Sequence, residues 1–171
     1  VLSAYRQPAH SDDLLIWLED TAPRLDALIV SFQTLGYGGL IASRISHEPA
    51  SAILTRLESL GKVKQQYPKL PLLGFDLIMR ISNANSAVEE PDYWAEEGRR
   101  FYQFSQLLDR LEQGHPVEDE LAYLRAELQP QHVQDFMLRR MRNHSINKAG
   151  LRMLAHGDLD LLVLSSDDTS P

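Results

Sequence analysis

Residues 159 to 171 read Leu159-Asp160-Leu161-Leu162-Val163-Leu164-Ser165-Ser166-Asp167-Asp168-Thr169-Ser170-Pro171. An apolar run of strand length that turns abruptly to hydroxyls and paired carboxylates is the pattern of a buried parallel strand emerging at the carboxyl edge of its sheet. Open and closed α/β folds place their ligands at that edge. Two earlier apolar runs, at 25–32 (LDALIVSF) and 72–79 (LLGFDLIM), also end in dense polar clusters. Three strands are therefore expected to deliver polar residues to one rim.

The segments between these runs carry helical periods. Ser11, Asp12 and Asp13 form a helix start, with an N-cap hydroxyl and acids at the positive end of the dipole, and Pro23 stops that helix. Residues 33–39 read as a glycine-bearing exit loop after the first strand. Pro49 opens a helix in which Ile53, Leu54, Leu57, Leu60 and Val63 recur up to Tyr67. Between the second and third strands, residues 91–156 read as an excursion of three helices opened by Pro91, Pro116 and Pro130. Strand, helix, strand spacing makes parallel crossovers the expectation. The fold class read from the chain is α/β, a three-stranded parallel sheet with crossover helices. Three parallel strands leave faces and edges to cover, so residues 1–171 are taken as a single α/β domain or a fragment of a larger, barrel-like one.

Composition narrows the classes of function. An apolar content of 43% with 24% charge is that of a globular chain, and a formal charge of −7 argues against a general nucleic-acid binder. No run approaches the about eighteen apolar residues needed to cross a bilayer, so no membrane partner is expected. The chain has no cysteine, which removes disulfides, thiolate metal sites and cysteine nucleophiles and fits a cytoplasmic location.

The candidate site residues cluster after each strand. Asp167 and Asp168 fall on opposite faces while the strand stays extended, and both reach the rim if the chain turns at Asp168. Two neighbouring acids push their pKa values apart, which suits acid/base work, and they equally suit a hard cation such as Mg²⁺ with phosphoryl chemistry. The competing reading makes one a helix cap and leaves the other solvated. After the first strand, Tyr37 with Gly38 and Gly39 lets backbone amides approach a ligand, although the spacing fits neither the dinucleotide fingerprint nor the P-loop. Arg44 suits a carboxylate or phosphate, and His47 suits proton movement near neutral pH. An Arg44 to Glu48 helical ion pair is the alternative. After the second strand, Arg80 and Asn83 suit the reading of hydroxyls and amides, as turn residues also do. On the last helix, Asn143 and Asn147 share one face and Arg140 and His144 another. They read as support for the strand-end acids or as a solvated basic face.

At these positions the chain resembles a mainly bacterial family known as domain of unknown function 4127. The stretches that carry the resemblance are Tyr37 to Glu48 (YGGLIASRISHE), Met79 to Ser82, Glu89 to Trp94, Arg142 to His144 with Asn147, and Leu164 to Pro171. The resemblance implies an internal segment of a longer chain and transfers no reaction. The strand ending in Asp167 and Asp168 is also similar to the paired aspartates of β-N-acetylglucosaminidase-type glycoside hydrolases. That likeness implies one acid protonating a leaving group while the other assists the substrate's acetamido group. The expectation is a hydrolase-like site for a small-molecule or carbohydrate-type ligand, with no cofactor. In it Asp167, Asp168 and His47 do the chemistry, and Tyr37, Gly38, Gly39, Arg44, Arg80, Asn83, Asn143 and His144 hold the ligand. A non-catalytic binding or structural module is the alternative.

Overall fold

The computed structural model describes residues 3–166. Asp167 and Asp168 lie outside the described residues. The chain forms two compact units: residues up to Met79 with those from Arg140 through the third strand, and Arg80–Arg139.

The first unit is built on three strands, β1 (Leu28–Ser31), β2 (Leu72–Ile78) and β3 (Leu161–Ser166). They lie in the order β1-β2-β3 with every pairing parallel. The register sets Leu28 beside Leu72, Gly74 beside Leu162 and Asp76 beside Leu164. The parallel α/β architecture expected from the three apolar runs is thus the architecture found. All three strands leave the sheet by the same edge.

Around the sheet stand α1 (Ser11–Thr21), α2 (Phe32–Tyr37), α3 (Leu40–Ile45), α4 (Ala50–Gln66) and the later part of α7 (Pro130–His156). The α4 stripe of Ile53, Leu57, Leu60 and Val63 is buried in one cluster with Leu28, Val30, Phe32 and Leu72. Spacings of three and four put those side chains on one face, and burying each contributes about 1.5–3 kcal/mol. Gly74 has no side chain because Phe32, Leu159 and Leu162 occupy the space; a Cβ there would lie 3.0 Å from Leu159.

Two boundaries differ from the sequence expectation. β1 begins at Leu28 rather than Leu25, because Ala22–Arg24 close a 3₁₀ turn and the Leu25 amide donates back to Ala22. Residues 33–37 belong to a helix and not to an open exit loop. The Ser31 hydroxyl accepts from the Thr34 amide at 3.3 Å and starts α2, and Gly38 ends it at φ 80°. Ser31 is therefore the last strand residue and the helix cap at once, which a strand-length apolar run conceals.

The second unit contains α5 (Trp94–Glu112), α6 (Glu118–Glu127) and the first turns of α7, the three-helix excursion expected from its prolines. Its core joins Trp94, Phe101, Phe104, Leu124, Val133 and Phe136. Glu97 accepts from the Gln129 amide at 3.3 Å and meets His132 Nδ1 at 2.5 Å, while Tyr93 stacks on the His132 ring at 4.5 Å.

Candidate functional site

The carboxyl side of the first unit holds a connected set of buried polar groups. Asp76, on the central strand, is 1% exposed. Its Oδ1 accepts from Gln33 Nε2 at 2.7 Å and from the Leu77 amide at 2.8 Å. Its Oδ2 accepts from Asn147 Nδ2 at 2.7 Å. Burial raises the Asp76 carboxyl above its ordinary value, against the lowering effect of the Asn147, Gln33 and Leu77 donors. Gln33 is itself buried, and its Oε1 has no hydrogen-bond partner among the described residues.

One helical turn before Asn147, Asn143 continues the set. Its Oδ1 accepts from the Tyr37 hydroxyl at 2.9 Å and from Arg142 Nε at 3.1 Å. Arg142 spends its fork on backbone, with Nη2 donating to Ser43 O at 2.6 Å and Nη1 to Ser46 O at 2.6 Å. The same guanidinium sits 5.0 Å over the Tyr37 ring. Helical spacing thus ties α7 to the α2–α3 segment through Asn143 and to β2 through Asn147. Burial pushes the Tyr37 phenol up to about 12, with Arg142 pulling the other way.

In front of this set lies a cleft of about 520 Å³ lined by Arg6, His10, Asp12, Tyr37, Glu48 and Arg56, among others. Arg56 donates to Gly36 O at 2.6 Å and makes a two-pronged pair with Glu48. That bond to Arg56 holds the Glu48 carboxyl below its ordinary value. Gly38 packs against Ala9, which lines the cleft: the Gly38 carbonyl accepts from the Ala9 amide at 2.9 Å, and an added Cβ would lie 2.6 Å from Ala9 O. A side chain at 38 would need both a left-handed backbone and that space.

Of the residues expected to hold a ligand, Tyr37 and Asn143 are joined directly, and Gly38 and Gly39 follow Tyr37 in the chain. Arg44 is buried at 5% exposure on α3, whereas His47 and His144 are exposed. Arg80 and Asn83 belong to the helical unit, where Arg80 Nη2 pairs with Glu89 at 3.1 Å and Asn83 is exposed. Glu48, the partner that the alternative reading gave to Arg44, pairs with Arg56. Two residues were missed. Asp76 sits inside a strand read as apolar, yet a lone carboxylate in LLGFDLIM is itself a signal that partners must be waiting. Arg56 lies on α4, whose reading rested on its apolar positions alone. Among the described residues no cluster of three or more His, Asp or Glu side chains could hold a metal ion, and no helix is long and apolar enough to cross a membrane.

These features define an α/β protein with an open three-stranded parallel sheet and a polar cluster at the sheet's carboxyl side. The family model described as protein of unknown function (DUF4127) matches residues 1–171, so the chain belongs to that family. No curated protein and no solved structure matches it.

Proposed function

We propose that this chain contributes a hydrolase-like site at the carboxyl rim of its parallel sheet, acting on a carbohydrate-type ligand. The observation that supports it best is the cleft beside Tyr37, where arginine, carboxylate and histidine side chains line about 520 Å³ at the rim side of β1. Planar polar groups of both signs suit neutral hydroxyl-rich molecules, each hydroxyl needing a donor and an acceptor. The buried bonds behind Tyr37 hold that wall in one position, as a binding surface requires. In this reading Asp167 and Asp168, which follow Ser166 in the sequence, supply the acid/base carboxylates.

A second reading, a carbohydrate-type binding module without chemistry, has one observation in its favour. Two of the described carboxylates are already engaged, Asp76 by three donors and Glu48 by Arg56. A panel of aryl glycosides assayed for release, alongside calorimetric binding, separates the two. Release abolished by Asp168→Asn with binding retained supports the hydrolase. Binding without release supports the module, and neither binding nor release by the folded chain contradicts both.

A further inference from the structure

Away from the rim, the helical unit fixes one imidazole on two sides. His132 lies in the first turn of α7, and its Nδ1 meets Oε2 of Glu97 on α5 at 2.5 Å. Glu97 is buried at 6% exposure, and its other oxygen accepts from the Gln129 amide at 3.3 Å. The Tyr93 ring lies over the imidazole at 4.5 Å, with 11° between the planes. The His132 side chain nonetheless stays 31% exposed. With Nδ1 on a buried carboxyl group and one ring face under Tyr93, what reaches solvent is the other face and the edge that carries Nε2.

These contacts fix the tautomer. A carboxylate only accepts hydrogen bonds, so Nδ1 carries the hydrogen and the neutral ring keeps its free lone pair on Nε2. An imidazole held this way can take a proton from a neighbouring nucleophile or act as the nucleophile itself. The side chain stacked on it does not suit the first role, because the Tyr93 hydroxyl donates to Asp135 at 2.9 Å, and burial and that bond raise the phenol above its ordinary value. The chain has no cysteine to serve instead. Charge then selects the incoming group. The first turn of a helix is the positive end of its dipole, which favours an anionic phosphoryl group over a neutral acyl one.

We propose that His132 Nε2 is a phosphoryl-acceptor site, with Glu97 as the positioning residue behind it. The Nε2 lone pair attacks phosphorus, the N–P bond forms as the bond from phosphorus to the leaving group breaks, and the leaving group departs with that electron pair. The hydrogen stays on Nδ1, so the ring becomes positive, and the Glu97 carboxylate 2.5 Å away offsets that charge. Nothing in this inference depends on the rim cleft or its ligand.

The probe is phosphoramidate, incubated at neutral pH with the intact chain and followed by phosphorus NMR and by mass mapping of the six histidines. Its nitrogen leaves as ammonia. His132 is expected to be phosphorylated at Nε2, roughly tenfold faster than any other histidine. Glu97→Gln keeps the size of the side chain and removes the charge, and is expected to slow His132 roughly tenfold, the difference between a charged and a neutral hydrogen bond. A purely structural Glu97 would change the melting temperature of that variant and leave the rate alone. Should Glu97→Gln fail to fold, the ranking of the histidines and the nitrogen modified in the native chain decide. Labelling of His132 no faster than of the exposed His10 or His144 would overturn the proposal. So would labelling at Nδ1, or an unchanged rate in a folded Glu97→Gln variant.

Discussion

Asn147 on α7 donates its side-chain amide to Asp76 on β2 across 2.7 Å, and the same nitrogen reaches Leu77 O at 3.1 Å. A helix 71 residues further along the chain is thereby pinned to the centre of the sheet by a polar contact inside an apolar layer. Removing the acceptor strands its donors. Asp76→Ala leaves Gln33 Nε2 and the Leu77 amide without these bonds and Asn147 Nδ2 with Leu77 O alone, and should cost about 3 kcal/mol. Asn147→Ala removes one donor of three and should cost about 1 kcal/mol. Urea denaturation followed by circular dichroism measures both, and equal small losses would show that Asp76 is not the hub.

Asp76 also sets a pH dependence. Because burial raises its folded pKa, the folded chain keeps this proton to higher pH than the unfolded chain does. Its contribution to stability is full below about pH 3.8, the ordinary value, and is lost as pH rises through the folded value. Asp76→Asn removes that slope. Wild type minus variant stability, measured by denaturant at several pH values, should fall as pH rises above 3.8.

Glu48 works in the opposite direction. Its bond to Arg56 lowers the folded pKa, so its contribution is present above the ordinary 4.5 and is lost as pH falls through the folded value. In Arg56→Met the acid limb of the stability profile should flatten, most clearly at low salt, because the pair is partly exposed. An unchanged acid limb would show that the pair contributes nothing.

Tyr37 should resist ionisation. Spectrophotometric titration of the folded protein is expected to show a step at about pH 12 that Tyr37→Phe removes, while Tyr93, raised further by burial and by its bond to Asp135, ionises later still in both proteins. Tyr37→Phe should cost only about 1 kcal/mol, because Asn143 Oδ1 keeps its bond from Arg142.

Much of this fold was legible in the chain. The apolar runs at 25–32, 72–79 and 159–165 named the strands found at Leu28–Ser31, Leu72–Ile78 and Leu161–Ser166, and Pro130 marked the first residue of α7. What stayed hidden was long-range pairing. Nothing local to Asn143 says that its partner is Tyr37, 106 residues earlier, and nothing local to Arg142 says that its fork will close on the Ser43 and Ser46 carbonyls. Exposed and buried polar residues have the same letters in a sequence. Asp76 was legible in principle, because a charge within a strand must be paid for by partners, but Gln33 and Asn147 could be chosen from many amides only by the fold.

The cleft beside Tyr37 is the centre of the functional reading, and an amide-resolved NMR titration of the intact chain with a panel of simple glycosides tests it most directly. Chemical-shift changes concentrated at residues 36–39 and 46–48, weakened by Arg56→Met, are the expected result. Saturable changes confined to residues of the helical unit, or none with any glycoside, would contradict it.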